Sequence, residues 1–141
     1  MIKRLKELEK ASRLLEPNEH ERKLVRKKVV TYSEKFLNDI EKIKAYNVTI
    51  GKGIDLLSSP ISEKPIAIDK ALQLIEKNVD YPGLNPASGG HLAYIPGGGI
   101  YFSALGDYLA DVFNRYAGVF YASPGAVRME NMLIKWMAGV V

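Results

Sequence analysis

Pro96 is followed by Gly97-Gly98-Gly99 and then by a helical apolar period, an order in which adjacent backbone amides at a helix start can receive an anion such as phosphate. The lysine and Ser/Thr that trail a P-loop glycine are missing, and so is a strand-borne Gly-x-Gly-x-x-Gly, so a tight turn or a close approach to the backbone competes with ligand contact. Ser88, Ser103 and Ser123 have no histidine and acid at a telling spacing. His91 sits in a glycine-rich loop without an orienting carboxylate and reads as a hydrogen-bonding loop residue, so nucleophilic catalysis finds no support. Asp107 and Asp111 stand four residues apart on an expected helix and would form a carboxylate pair. Arg115, a further four residues on, turns that pair more readily into a surface ion pair. With no cysteine, and with His20 and His91 as the only imidazoles, disulfides and thiolate nucleophiles are excluded and little remains for metal chemistry.

The elements that would position these residues read as helices. Ile2, Leu5, Leu8, Leu14 and Leu15 form one stripe, and Pro17 predicts an end near Leu15. Asn18 is a good N-cap for a second helix carrying Val25, Val29, Tyr32, Phe36, Ile40 and Ile43 to about Tyr46, roughly 40 Å at 1.5 Å per residue. Residues 47–64 mix glycine, serine and proline and predict an irregular connection. A third helix is expected from Pro65 or Ile66, turning Ile68, Leu72, Ile75 and Val79 inward. Asp80 to Gly90 is dense in turn formers and predicts an ordered loop, neither helix nor strand. The helical period returns from about Gly98 to Asn114, and a last helix starts after Pro124 and passes Met129, Met132, Leu133, Trp136 and Met137. Five tyrosines and three phenylalanines between Tyr94 and Tyr121 suit a core or an interface. The expected class is all-α, with no strand, no internal repeat and no low-complexity tract.

The chain has 141 residues, 47% of them apolar, enough for one domain with a core. The formal charge of +4 is uneven: residues 1–70 hold 16 Lys/Arg against 11 Asp/Glu, and residues 71–141 hold 4 against 5. A basic face of this kind can attract nucleic acid or anionic lipid, but Glu7, Glu9, Glu19, Glu21, Glu34 and Glu41 interleave with it at helix-pair spacings. A solvated helix face is the expectation, with nucleic acid and membrane both outside the expected partners. No apolar run approaches the roughly 18 residues of a membrane helix, and the first residues lack a secretory pattern, so a cytoplasmic location is expected. The apolar stripes of the first two helices cannot cover each other, which calls for another partner in the chain or on a second subunit. The apolar end, Ala138-Gly-Val-Val141, leaves helix carbonyls without a polar cap and suggests a longer parent.

From Asn85 to Met137, Asn-Pro-Ala-Ser-Gly-Gly-His-Leu-Ala-Tyr-Ile-Pro-Gly-Gly-Gly and then Ala-Ser-Pro-Gly-Ala-Val-Arg-Met-Glu-Asn-Met-Leu-Ile-Lys-Trp-Met, the chain resembles the N-terminal region of the group II pyridoxal-phosphate-dependent decarboxylases. These are the aromatic-amino-acid, glutamate and histidine decarboxylases. The resemblance covers about 50 residues and is looser upstream, where the basic helices are similar to that family's N-terminal extension. It implies that Tyr94, Ile95, Pro96 and Gly97 match a substrate-pocket loop, Ala-Tyr-Phe-Pro-Thr in the family. Ile95 and Gly97 replace an aromatic residue and a threonine there and imply a wider, less polar pocket. Ser123, Pro124, Glu130 and Trp136 match the helix that follows. An aromatic that crosses from one subunit into the other's pocket falls at about Gly118, with Phe120 nearby.

The resemblance further implies a parent of fold type I that works as a homodimer on an amino acid with pyridoxal 5'-phosphate. In that parent, residues 1–46 would be dimerisation helices packed mainly across the interface, residues 47–64 a connection, and residues 65–141 the segment preceding the cofactor domain. The family's phosphate-binding segment, ring-stacking His, pyridine-pairing Asp and aldimine Lys all follow the matched stretch. Lys70, Lys77 and Lys135 lie in amphipathic helices, so this chain alone is expected to hold no cofactor and to be catalytically silent. Two readings without that family stand beside it: a helical interaction module binding anionic partners through residues 3–44, and nucleic-acid binding by the same helices.

Overall fold

The computed structural model describes residues 1–48, 51, 53–59 and 61–141, so Thr49, Ile50, Lys52 and Pro60 of the expected connection lie outside the described residues. The chain is mostly helical and divides into two units, Met1–Gly97 and Gly98–Val141.

In the first unit α1, Ile2–Ser12, is closed by a 3-10 turn, Arg13–Leu15, where the sequence predicts the end. Arg13 pairs with Glu9 at 2.8 Å one turn back. α2 spans Glu19–Asp39 and begins in a capping box: the Asn18 side chain accepts from Glu21 N at 3.0 Å, and Glu21 Oε2 accepts from Asn18 N at 2.8 Å. Two of the amides that a helix start leaves without partners are thus satisfied.

α2 stops seven residues short of the expected Tyr46, passing into a 3-10 turn at Ile40–Lys42. Competing hydrogen bonds decide this. Ile43 O accepts from Ser88 Oγ at 2.6 Å and Ala45 O from Asn85 N at 2.8 Å. Beyond them β1, Tyr46–Asn47, pairs antiparallel with β2, Gly83–Leu84, Tyr46 opposite Leu84 and Asn47 opposite Gly83. Backbone groups engaged outward in this way are lost to an i→i−4 ladder. The short sheet corrects the expectation of no strand, and it lies inside a segment otherwise built of turns.

α3 spans Ile68–Ile75 and continues as one π-helical turn, Glu76–Asp80, closed by Tyr81 N donating to Glu76 O at 2.9 Å. Ile68 and Leu72 are half-buried as expected, joined by Ala71 and Leu74, but Ile75 and Val79 remain exposed. The wider π turn rotates Val79 off the face that strict 3.6-residue spacing predicts. Gly53, at φ 84°, starts the 3-10 turn Ile54–Leu56 and lies so close to Asn78 O that a Cβ would stand 2.9 Å from it.

The second unit holds α4, Tyr101–Phe113, and α5, Pro124–Ala138. Asn114, at φ 43°, closes α4 in the left-handed conformation, so Arg115 is not on that helix and the expected ion pair to Asp111 is absent among the described residues. Pro124 opens α5 at a position where a proline costs no hydrogen bond.

None of the described apolar residues is buried; the buried ones are Asn78, Ser88 and Ser123. The expected core is therefore not formed. The amphipathic patterns are real as helices, but the apolar sides of α1, α4 and α5 face outward. At about 100° per residue, Tyr101, Leu105, Tyr108, Leu109, Val112 and Phe113 share one side of α4, and each is exposed. No helix among the described residues is long and apolar enough to cross a membrane.

Candidate functional site

Two regions gather chemistry-bearing side chains in the first unit. One is a cleft beside α2, built by a polar seam to α3. Lys28 reaches Asp69 at 2.5 Å and Lys35 reaches Glu76 at 2.9 Å. The two pairs step seven residues along both helices in the same direction, so α2 and α3 run alongside each other in the same sense. The Tyr32 hydroxyl donates to Asp80 Oδ2 from the turn between the two lysines. Exposed ion pairs of this sort add little stability in water; their effect is to set which turn of α2 meets which turn of α3.

Burial, followed by the hydrogen bond to Asp80 and the charges of Asp80 and Glu76, pushes the Tyr32 phenol well above its ordinary value. The hydrogen bond and charge of Glu76 likewise raise the Lys35 ammonium. On the far side of this seam lies a cavity of about 740 Å³, with Phe36 and Ile43 on one wall and Val79, Tyr81 and Leu84 on the other. Asn47 fastens its floor by donating from Nδ2 to Tyr81 O at 2.9 Å.

The second region is the loop singled out in the sequence. Ser88 ties it down, donating to Ile43 O while its Oγ accepts from Gly90 N at 3.2 Å. Tyr94 is 56% exposed and meets His91 edge to face, ring centroids 4.6 Å apart. Ile95 is fully exposed, Pro96 half-buried, and Gly97 has open space where a Cβ would stand. Both ring nitrogens of His91 are buried without a hydrogen-bond partner. The residue is therefore held by stacking on Tyr94 and by its backbone bond to Ser88 O, which corrects the expectation of a hydrogen-bonded side chain. Gly97, Gly98 and Gly99 keep negative φ angles and enter no turn, so the tight-turn reading of that run is also corrected. Ile100, which caps α4, offers no side-chain bond to the amides that follow.

Gly118 and Phe120 belong to the second unit. A Cβ on Gly118 would overlap the Tyr116 ring, so glycine lets that ring fold back over the backbone. Phe120 is half exposed, with the Arg128 guanidinium 5.3 Å from its ring centre, a cation–π distance.

Pyridoxal phosphate needs a lysine for its Schiff base and an acid for its ring nitrogen. Lys28, Lys35 and Lys77 are bound instead to Asp69, Glu76 and Asp55, the last at 2.6 Å. An ammonium stabilised in this way is a poor nucleophile, so these three lysines are ill suited to forming a Schiff base. No group of three or more potential metal ligands occurs among the described residues.

The seam was missed by sequence reasoning. Its signal was available: Lys28 and Lys35 are seven residues apart, as are Asp69 and Glu76, two matched charge repeats whose pairing only a parallel approach reveals. No family model, no curated protein and no solved structure matches this chain.

Proposed function

We propose that this chain is the helical N-terminal part of a pyridoxal-phosphate-dependent amino-acid decarboxylase, supplying dimerisation helices and the substrate-facing loop Tyr94–Gly97 and holding no cofactor itself. The observation that carries the reading is the outward display of the apolar stripes of α1 and α4. Ile2, Leu5 and Leu8 on α1 and Leu105, Tyr108 and Leu109 on α4 are all 45% or more exposed. Apolar side chains in ordered helical rows gain free energy only by being covered. In an entwined homodimer the N-terminal helices of one subunit would cover the stripes of the other.

The loop supports the same reading. Ser88 and the short sheet anchor its first half, whereas Tyr94 and Ile95 stand out from it, an arrangement suited to lining a pocket completed by another part of the parent. A substrate amino acid would meet an aromatic hydroxyl at Tyr94 and an open, apolar stretch at Ile95–Gly97.

The test is sedimentation equilibrium of the purified chain, joined to an absorbance titration with pyridoxal phosphate. The expected outcome is a concentration-dependent homodimer without a dialysis-resistant aldimine band. A compact monomer at high micromolar concentration would remove the dimerisation role, and a stoichiometric, persistent band would show that one of these lysines is a cofactor lysine after all.

A further inference from the structure

The cleft beside α2 is separate from the loop at Tyr94, and its charges do not cancel evenly. Of its carboxylates, Glu76 is matched by Lys35 at 2.9 Å and Asp39 by Lys42 at 3.1 Å. Asp80 faces only the neutral Tyr32 hydroxyl, through Oδ2, and has no cationic partner among the described residues. Asp80 is exposed and so keeps its charge available at the mouth of a largely apolar cavity.

The surroundings of Asp80 are aromatic. Tyr32, Phe36 and Tyr81 all line the same cavity, Tyr32 and Phe36 one helical turn apart on α2 and Tyr81 next to Asp80 in the chain. Ring faces attract cations, most strongly weakly hydrated organic ones. The remaining cation of the lining, Lys44, makes no ion pair with Asp80.

We propose that this cleft binds a small organic ammonium, its nitrogen against Asp80 among the rings of Tyr32, Phe36 and Tyr81, its apolar body along Val79 and Leu84. A volume of about 740 Å³ suits a small organic molecule. Anions are disfavoured at the same place, because Asp80 and Glu76 repel them and Lys35 is already engaged.

The test is calorimetric titration of the full chain with benzyltrimethylammonium, whose charge is independent of pH, against phenylmethanesulfonate, an anion of similar size. The cation should bind at least about tenfold more tightly than the sulfonate, the equivalent of one charged contact. Asp80→Asn should remove about that factor, and Tyr32→Phe, which keeps the carboxylate and a ring, should stay within about threefold of the parent. Equal binding of cation and sulfonate by the unaltered chain, or no binding of the cation at millimolar concentration, overturns the proposal without reliance on either variant. Undiminished cation binding by a folded Asp80→Asn chain overturns it as well.

Discussion

Leu8→Ala isolates the apolar stripe of α1 from the stability of α1 itself. Leu8 is 56% exposed and α1 buries no residue, so the truncation leaves no internal cavity. Alanine is the better helix former, so the helix is not weakened. Full burial of a leucine is worth about 1.5–3 kcal/mol, and covering the exposed half therefore contributes about 1–1.5 kcal/mol per protomer. A two-fold interface uses the residue twice. The loss is then about 2–3 kcal/mol, a dissociation constant weakened about 30- to 150-fold. Lys10→Ala is the control, since two residues on a helix place Lys10 about 160° round from Leu8; its constant should move less than about threefold. Sedimentation equilibrium over a range of concentrations reads both variants, with circular dichroism to verify equal helix content. If Leu8→Ala dimerises as tightly as the parent chain, the proposed place of α1 in the interface is refuted, because a leucine covered by the partner cannot be truncated without loss.

Asn18→Ala removes the side-chain acceptor of the capping box, to which Glu21 N donates, and should cost about 1 kcal/mol, seen as faster hydrogen exchange at the first amides of α2 and a lower denaturation midpoint. Gly53→Ala forces a Cβ into a left-handed conformation and to 2.9 Å from Asn78 O; a loss of about 1–2 kcal/mol is expected in chemical denaturation, and an unchanged midpoint would contradict the close packing of that turn. Because the Tyr32 phenol is raised in the folded state, its contribution to stability is complete below the unfolded tyrosine value of about 10 and is lost as pH rises through the higher folded value. Alkaline denaturation should therefore be less steep in Tyr32→Phe, and spectrophotometric titration should show one tyrosine ionising later than the rest.

The helices were legible because their signals are local. Asn18 with Glu21, Pro17 before them, and Pro124 at the head of α5 act within a turn of themselves, and each appears where the sequence places it. The end of α2 was not legible for the complementary reason. Lys44, Ala45 and Tyr46 continue a helical pattern, and only Ser88 and Asn85, some 40 residues on, draw their backbone away. The π turn at Glu76–Asp80 likewise moves Val79 off the predicted inward face, an insertion that no periodicity of Ile68, Leu72, Ile75 and Val79 announces.

The same distinction separates the two candidate sites. Tyr94–Gly97 could be singled out because a short run of distinctive residues carries the resemblance, and Tyr94 and Ile95 stand exposed in the first unit. The cleft beside α2 carries no motif. It exists because Lys28 and Lys35 repeat at the spacing of Asp69 and Glu76, which draws α3 along α2 and brings Asp80 to Tyr32. Charge that is balanced along that seam becomes unbalanced at Asp80, where the partner on α2 is a phenol in place of an ammonium. A Tyr32→Lys substitution would complete the ladder of ion pairs by giving Asp80 an ammonium partner, and should therefore abolish the proposed preference of the cleft for an organic cation.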